Sequence, residues 1–336
     1  MGDVVRSEES GDRSSPRTGP VLADLDEDEL LDRILPLFPP APGVLVPAGD
    51  DTALLAAGDA VLATTDTMVR GRDWLDGWSS AEDVGAKVVA QNVADIAAMG
   101  GVPTGLLVTL VADVRTPVAW VEDFSRGLAE AAADARVPVV GGDLSSAPSG
   151  TLVVSVTALG DLEGRAPVLR SGARPGDVVA VCGTLGRSAA GLLLLQEGTP
   201  SLAPDLVAAH RRPRPAYDQG PQAALAGATA MLDLSDGLVR DGRRIARASG
   251  VQLALSGEAL AADVAALAPA VGTTRARECV LTGGEEHSLL ACFPAGRELP
   301  TGWRALGEVR DGEGLTLDGQ SLHGGGWDHF AGADRG

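Results

Sequence analysis

The chain has 336 residues, of which 45% are hydrophobic, and its formal net charge at pH 7 is −19. This length and apolar content suffice for the cores of two domains or one large domain, so the composition indicates a soluble globular protein. The negative charge argues against nucleic acid or an anionic membrane as a partner, because both are bound through Lys and Arg side chains.

Neither a signal peptide nor a membrane anchor is expected in the first stretch of the sequence. Residues 1–20 are polar and lack the apolar stretch of a signal peptide, so they are predicted to form a disordered tail. The longest aliphatic run, residues 191–195, is far shorter than the roughly 20 residues of a membrane span. Cys182, Cys279 and Cys292 lie in separate apolar runs, which is typical of reduced core thiols. We therefore expect a cytoplasmic protein.

The first half of the chain begins with alternating helix and strand signals. Residues 24–38 are predicted to form an amphipathic helix, and residues 60–65 a strand that ends at Asp66. Ser80 and Asp83 form a capping-box pair that begins a strong helix, which Gly100-Gly101 ends.

That helix carries Lys87, Gln91 and Asp95 at positions i, i+4 and i+8, so the three side chains share one face. A polar stripe is often a solvated face. Because the rest of this helix is so apolar, the stripe here predicts a polar cleft.

The next signals complete a first α/β unit. Strands are predicted over residues 104–111 and 137–140, with a helix over residues 118–136 between them. A further apolar strand over residues 151–159 is expected to pair with the second strand. The pattern then breaks into Arg, Pro and Gly around residues 165–176, so we predict domains over 21–165 and 166–336.

The second half repeats this pattern. A strand is predicted over residues 177–182, followed by the turn Gly183-Thr184-Leu185-Gly186 and a helix through Leu195. Such a turn often merely begins a helix, although it is also a weak signal for phosphate binding. Residues 228–234 predict a strand and residues 235–249 a helix. Several short strands are expected between residues 251 and 317. The alternation as a whole indicates an α/β or α+β fold.

Familiar catalytic motifs do not fit. Lys87 is the only lysine and follows no glycine-rich loop, which excludes a P-loop and a protein-kinase lysine. The sequence has no His-Glu-x-x-His motif and no serine in a nucleophile elbow. His210, His323 and His329 lie in turn-rich segments and are predicted to be exposed.

Aspartates form the most informative pattern. A single aspartate after a strand is a helix cap or turn former about as often as it is a ligand, but five such segments favour a shared site. Gathered carboxylates repel one another unless a divalent metal such as Mg²⁺ lies among them, and phosphoryl transfer is the chemistry that uses such ions. The segments are Gly49-Asp50-Asp51-Thr52-Ala53, Thr64-Thr65-Asp66-Thr67, Asn92-Val93-Ala94-Asp95, Gly141-Gly142-Asp143 and Asp233-Leu234-Ser235-Asp236-Gly237.

In this order, these segments resemble the thiamine-monophosphate kinases of the PurM-like (aminoimidazole ribonucleotide synthetase) superfamily. The resemblance extends from about residue 24 to residue 330. Further matching segments are Ser155-Val156-Thr157-Ala158-Leu159-Gly160, Gly183-Thr184-Leu185-Gly186, Gly283-Gly284-Glu285 and Gly326-Trp327-Asp328-His329-Phe330.

The resemblance implies a two-domain PurM-like α/β fold, a homodimer formed through the amino-terminal domain, and ATP-dependent conversion of thiamine monophosphate to thiamine diphosphate. Gly142, Asp143, Arg170 and Ser235 would approach ATP, and Trp327 would stack on thiamine in its site. The implied metal ligands are Asp51, Thr64, Thr65, Asp66, Asp95, Asp143, Asp233 and Asp236.

The sequence departs from the family pattern on the acceptor side. The family commonly has a His-Phe pair where this chain has Arg70-Gly71-Arg72-Asp73-Trp74. It also commonly has Glu-Asp-Tyr-Glu where this chain has Glu285-Glu286-His287-Ser288. Asp73, Glu285 and Glu286 would favour a cationic thiazolium. Because the acceptor phosphate is itself ionised, no general base is expected. Two alternatives stay open: a related ATP-dependent enzyme acting on another phosphorylated small molecule, and a non-catalytic nucleotide-binding regulator.

Overall fold

A computed structural model describes residues 19–39, 41–46 and 54–322. The predicted metal ligand Asp51, the predicted substrate residue Trp327 and residues 1–18 of the predicted tail lie outside this range. So do His323 and His329.

Five helices of the described residues agree with the capping and periodicity signals, whereas the helices over residues 204–211, 219–225, 257–271 and 273–282 have no counterpart in the prediction. The Ser80–Asp83 capping box is confirmed, because the Ser80 hydroxyl accepts the Asp83 N–H at 3.2 Å and the Asp83 carboxylate accepts the Ser80 N–H at 3.0 Å. No helix in the described ranges is long and apolar enough to cross a membrane. The helices are α1 (Glu27–Ile34), α2 (Ala81–Ala98), α3 (Val118–Asp134), α4 (Arg187–Gln196), α5 (Pro204–Arg211), α6 (Gln219–Leu225), α7 (Leu238–Ser249), α8 (Gly257–Val271) and α9 (Thr273–Thr282).

Strands alternate with these helices along the chain, which confirms the α/β fold class. A small antiparallel pair, β1 and β2, precedes two larger sheets. The strands are β1 (Val44–Val46), β2 (Leu54–Leu55), β3 (Leu62–Val69), β4 (Val102–Asp113), β5 (Val139–Ala147), β6 (Leu152–Asp161), β7 (Val178–Cys182), β8 (Ala230–Asp233), β9 (Gln252–Leu255), β10 (Leu289–Phe293), β11 (Trp303–Arg310), β12 (Gly314–Leu317) and β13 (Gln320–Ser321).

The first large sheet has the strand order β3-β6-β4-β5. Strands β4 and β5 are parallel, and β6 lies antiparallel between β3 and β4. The expected pairing of the strand over residues 151–159 with β5 is therefore wrong. The helix α3 connects β4 to β5 as a parallel crossover, which leaves the opposite edge of β4 open to β6.

The second large sheet has the order β13-β12-β9-β11-β7-β10-β8. The several short strands expected between residues 251 and 317 are present as β9 to β12, but α8 and α9, over residues 257–271 and 273–282, have no counterpart in the prediction. Helix α8 is rich in alanine and leucine, which are strong helix formers, and it accommodates Pro269 in its last turn.

Each large sheet has its own apolar core. Helices α2 and α3 cover one face of the first sheet, and helices including α4, α7, α8 and α9 cover one face of the second. Ala98, at the end of α2, packs into a third cluster on the other face of the second sheet. The predicted boundary between residues 165 and 166 falls in the connection from β6 to β7, and the division into two domains stays a prediction.

Candidate active site

Strand β3 presents two of the predicted ligands toward helix α2. Thr64, Asp66 and the buried Met68 alternate along one face of the strand, as the period of two in a strand requires. The Thr64 hydroxyl donates to Asp95 Oδ2 at 2.7 Å, and the Asp66 N–H donates to Asn92 Oδ1 at 3.1 Å. Asp95, a member of the polar stripe on α2, therefore lies beside β3. The cleft predicted from that stripe stays a prediction.

Asp66 lies in the middle of β3, and Asp143 lies in the middle of β5. The expectation that these aspartates follow the ends of strands is wrong. Both strands continue past these aspartates because each stays paired in register with a neighbour, β3 with β6 as far as Val69 and β5 with β4 as far as Ala147. Asp233 does end its strand, β8.

Helix α2 also brings this first group next to Asp233, since α2 contacts β8. Burial, followed by the negative charges of Asp233 and Asp66, raises the pKa of Asp95 to about 6. Asp66, Asp95 and Asp233, which come from both halves of the chain, therefore lie close enough for their negative charges to interact.

His287 partly offsets this charge. Its Nδ1 atom lies 3.0 Å from Asp233 Oδ2, and the side chain is 3% exposed. Burial favours the neutral imidazole, but the hydrogen bond to Asp233 and the charges of Asp233 and Glu285 raise the pKa of His287 above its ordinary value.

The turn after β8 holds Ser235 and Asp236 through an aspartate on the following helix. Asp241 Oδ2 accepts the N–H groups of Asp236 and Gly237 at 2.8 and 3.0 Å. Arg244 pairs with both Asp241 and Asp236, and its Nη2 atom lies 2.5 Å from Asp236 Oδ2. Asp241 fixes the shape of the turn, and Arg244 orients the Asp236 carboxylate.

Two further predicted ligands lie on the opposite face of the first sheet. Thr65 is exposed and its hydroxyl donates to the Val156 carbonyl at 3.0 Å. Asp143 pairs in register with Thr109, and its Oδ2 atom accepts the Ser145 hydroxyl at 2.9 Å. The side chains of Thr65 and Asp143 therefore point away from α2, and the structure does not bring them together with Asp95.

Gly142 lies where β4 and β5 approach closely. A Cβ atom there would lie 1.9 Å from the Val108 carbonyl oxygen, whereas a Cβ at Gly141 would meet only the tip of Leu107 at 3.3 Å. Glycine at residue 142 is thus required by strand packing. Its predicted contact with ATP stays a prediction.

We expect Gly142→Ala to lower the free energy of unfolding by about 2 kcal/mol or more, because backbone atoms of β4 must move. Gly141→Ala is the matched control and should change it by less than about 1 kcal/mol, since a leucine tip yields easily. Urea denaturation of both variants measures the difference. Equal losses would contradict a clash specific to residue 142.

The other predicted contacts lie in loops. The side chain of Arg170 is exposed, and its carbonyl accepts the Ser249 hydroxyl at 3.2 Å. Asp73 Oδ2 accepts the Val69 N–H at 2.7 Å and so closes the turn after β3. Ser235 accepts the Glu285 N–H through its carbonyl at 2.9 Å, which joins the turn after β8 to the Glu285 segment.

The buried Lys87 of α2 forms an ion pair with Glu285. Lys87 Nζ lies 2.7 Å from Glu285 Oε1, and His210 Nδ1 lies 3.3 Å from Glu285 Oε2. The prediction that His210 is exposed is wrong, because it is 6% exposed on α5. Burial and the charge of Lys87 lower its pKa to about 4, so the imidazole is neutral at pH 7.

The Gly183–Gly186 turn already holds an anion from the chain itself. Glu286 Oε1 accepts the Ser188 N–H at 2.7 Å, and Oε2 accepts the Thr184 hydroxyl at 2.6 Å. Burial raises the pKa of Glu286, while these hydrogen bonds oppose the shift. The helix α4 amino terminus is therefore occupied by a carboxylate, as the partial positive charge there favours.

Sequence reasoning missed several residues of this region. Asn92, His210, Asp241 and His287 were given no role, although Asp241 stands in the first turn of a helix just after an acidic motif, which is a usable signal. His210 and His287 gave no such signal, because their partners lie far away in sequence.

The donor chemistry of this region fits a divalent cation. Carboxylate and hydroxyl oxygens are hard ligands, and a bound cation would offset the repulsion that Asp233 and Asp66 exert on the buried Asp95 carboxylate. Within the described ranges, however, no three His, Cys, Asp or Glu side chains are close enough to hold one ion together. Asp95, Asp233 and Asp236 instead bind Thr64, His287 and Arg244.

Known proteins resemble this chain over almost its whole length. Residues 49–162 match the family described as AIR synthase related protein, N-terminal domain. The chain is 45% identical over 329 residues to the thiamine-monophosphate kinase of Mycobacterium tuberculosis (strain ATCC 25618 / H37Rv), with 96% of this chain and 97% of that relative covered.

Solved structures of similar fold include two of this kind. The thiamine-monophosphate kinase from Stenotrophomonas maltophilia K279a superposes with a TM-score of 0.76 at 29% identity, covering 88% of this chain and 96% of that one. AaThiL complexed with AMPPCP and TMP superposes with a TM-score of 0.75 at 34% identity, covering 90% of this chain and 96% of that one.

Proposed function

The chain belongs to the thiamine-monophosphate kinase family, and we propose that it transfers the γ-phosphoryl group of ATP directly to thiamine monophosphate in a Mg²⁺-dependent reaction. The relatives named above support the reaction, and the complex with AMPPCP, an ATP analogue, and TMP supports both substrates. The observation that carries the proposal for this chain is the gathering of Asp66, Asp95 and Asp233 across the two large sheets.

The predicted ligands divide into groups by position. Asp66, Asp95 and Asp233, with the Thr64 hydroxyl, form the inner group, and Asp236 lies beside them in the turn after β8. We propose that Mg²⁺ binds at this group through one or two carboxylates together with phosphate oxygens of the substrates. Ligand roles for Thr65 and Asp143, which point away from this group, and for Asp51, which lies outside the described residues, stay predictions. When bound, the ions would neutralise the negative charge that keeps ATP and a phosphorylated acceptor apart.

The residues of the chain then bind and orient the two anions. We propose that Ser235, in a turn held by Asp241, contacts a phosphate of ATP, and that Arg170 and Gly142 contact ATP as well. Because a phosphate monoester is largely ionised at pH 7, the acceptor needs no general base. The transfer is therefore proposed to be in-line, without a phosphorylated enzyme intermediate.

Glu285 is the best-placed candidate for the thiamine cation among the described residues. Its side chain is 32% exposed, so it stays accessible to a ligand although it pairs with the buried Lys87. The Glu286 side chain is buried and turned toward helix α4, and the Asp73 carboxylate is turned toward the backbone of Val69. Trp327 is proposed to complete the site by stacking on thiamine.

We further propose a homodimer formed through the open face of the first sheet. This face carries Thr65 and Thr157 in neighbouring strands and exposes the apolar Val69 and Leu107, which are 36% and 39% exposed. A second copy would cover these side chains. The three free, buried cysteines suit a reducing compartment, so we place the reaction in the cytoplasm.

A coupled assay of the full chain with Mg²⁺, ATP and thiamine monophosphate tests this function. We expect thiamine diphosphate and ADP in equal amounts, no reaction with free thiamine, and loss of activity in excess EDTA that added Mg²⁺ restores. Full turnover in EDTA would contradict the metal-dependent reaction.

The same assay separates the alternatives. Activity on a different phosphorylated small molecule, but not on thiamine monophosphate, would indicate a related enzyme of other specificity. ATP binding without turnover of any such acceptor would favour a nucleotide-binding regulator.

A further inference from the structure

Lys87 is the single lysine of the chain, and it is almost completely buried. Its side chain is 4% exposed, and Nζ lies 2.7 Å from Glu285 Oε1. Lys87 belongs to α2 and Glu285 to the segment between α9 and β10, so the pair joins the two large sheets.

Stability alone does not account for such a pair. Burying the Lys87 ammonium costs free energy that its attraction to Glu285 often only repays, so this ion pair is weak evidence of stabilisation. A more exposed ion pair already joins α2 to the same half of the chain: Arg212 contacts Glu82 at 3.2 Å and also pairs with Asp83. These two points favour a role for Lys87 in orienting the Glu285 carboxylate.

The Glu285 segment needs external support to keep its conformation. Glu285 and His287 have φ angles of 59° and 54°, a left-handed conformation that non-glycine residues rarely adopt. Two backbone hydrogen bonds hold the segment, from Glu285 N–H to the Ser235 carbonyl and from His287 N–H to the Leu234 carbonyl. The direction of the Glu285 carboxylate is then set by Lys87 on one oxygen and His210 on the other.

Helix α2 makes this orientation relevant to the reaction. Lys87 and Asp95 lie two turns apart on the same face of the helix, so one rigid element contacts both the Glu285 carboxylate and the proposed metal group. Helix α2 therefore sets the distance between the Glu285 carboxylate, which is proposed to bind thiamine, and the metal group, which is proposed to bind the phosphates.

We propose that Lys87 is a positioning residue that fixes the Glu285 carboxylate for recognition of the thiamine cation. This inference rests on the proposed function. Lys87 itself does not contact the substrate: it acts through Glu285, and its own charge is balanced by that carboxylate.

A double-mutant cycle tests the inference with Lys87→Met, Glu285→Gln and the double variant. We expect each single variant to raise KM for thiamine monophosphate about tenfold or more, the factor for one charged hydrogen bond, with KM for ATP unchanged. The double variant should match Glu285→Gln, because Lys87 has no effect without its partner. Lys87→Arg should recover most of the affinity.

Arg212→Met is the matched control, since it breaks the other ion pair between α2 and the second half. It should lower the melting temperature without changing KM for thiamine monophosphate. If Lys87→Met behaves in the same way, or if the effects of Lys87→Met and Glu285→Gln multiply, the inference is overturned.

Calorimetric titration of each variant with thiamine monophosphate gives a second readout that does not need turnover. Binding by the wild-type protein without turnover would overturn the proposed function. The dissociation constants of the three variants would then still test the inference about Lys87. Wild-type turnover with unchanged affinity in Lys87→Met would overturn only the inference. Failure of the wild-type protein to bind would overturn both.

Discussion

Asp95→Asn should lower kcat by about three orders of magnitude while the protein stays folded. The carboxylate lies at the centre of the inner group, where Asp66 and Asp233 add negative charge, and an amide is a much weaker ligand for Mg²⁺. Electrostatic stabilisation of a transferring phosphoryl group supplies several kcal/mol, so the loss of one central ligand has a large effect. Steady-state kinetics at saturating ATP measures it.

The melting temperature of Asp95→Asn distinguishes a ligand from a structural residue. A raised carboxyl pKa means that the folded protein disfavours the ionised form, so the neutral amide should leave stability unchanged or slightly higher in the absence of metal. The amide oxygen still accepts the Thr64 hydroxyl. Asp59→Asn, at an exposed aspartate before β3, should change neither property.

The opposite pattern would be decisive against this role. If Asp95→Asn melted at a much lower temperature, and the residual activity followed only the folded fraction, Asp95 would serve to hold Thr64 and β3 in place.

Local signals in the sequence predicted local structure. The start of α2 follows from Ser80 and Asp83, whose reciprocal hydrogen bonds need only a separation of three residues. The polar stripe on α2 was also informative, since Lys87 and Asp95 both interact with residues of the second half of the chain.

Contacts between distant segments could not be predicted in this way. The pairing of β6 with β4 instead of β5 depends on which strand edge the α3 crossover leaves open. The burial of His210 depends on Ser188 and Glu285, which are 22 and 75 residues away along the chain. A single sequence gives no signal for such partners.

The turn at Gly183–Gly186 shows the same limit for the candidate site. Its glycines and the helix that follows are consistent with phosphate binding, but the anion at this helix terminus is Glu286, about 100 residues away along the chain. A side chain from another element therefore decides whether the helix terminus is open to a ligand.

Glu286→Ala should lower the free energy of unfolding by about 2–3 kcal/mol, with little change in KM for thiamine monophosphate. The alanine leaves the Ser188 N–H and the Thr184 hydroxyl without their acceptor and removes the negative charge at the amino terminus of α4. Urea denaturation at pH 7, with KM measured on the folded enzyme, gives both quantities.

Glu286→Gln is the matched control. Its amide oxygen can still accept the Ser188 N–H, and because burial raises the pKa of Glu286, a neutral side chain avoids part of the cost of a buried charge. We therefore expect the glutamine variant to lose about 1 kcal/mol or less. If instead both variants kept their stability and raised KM for thiamine monophosphate, Glu286 would contact the substrate cation and not the helix, and the negative charge of the acceptor pocket would come from two glutamates.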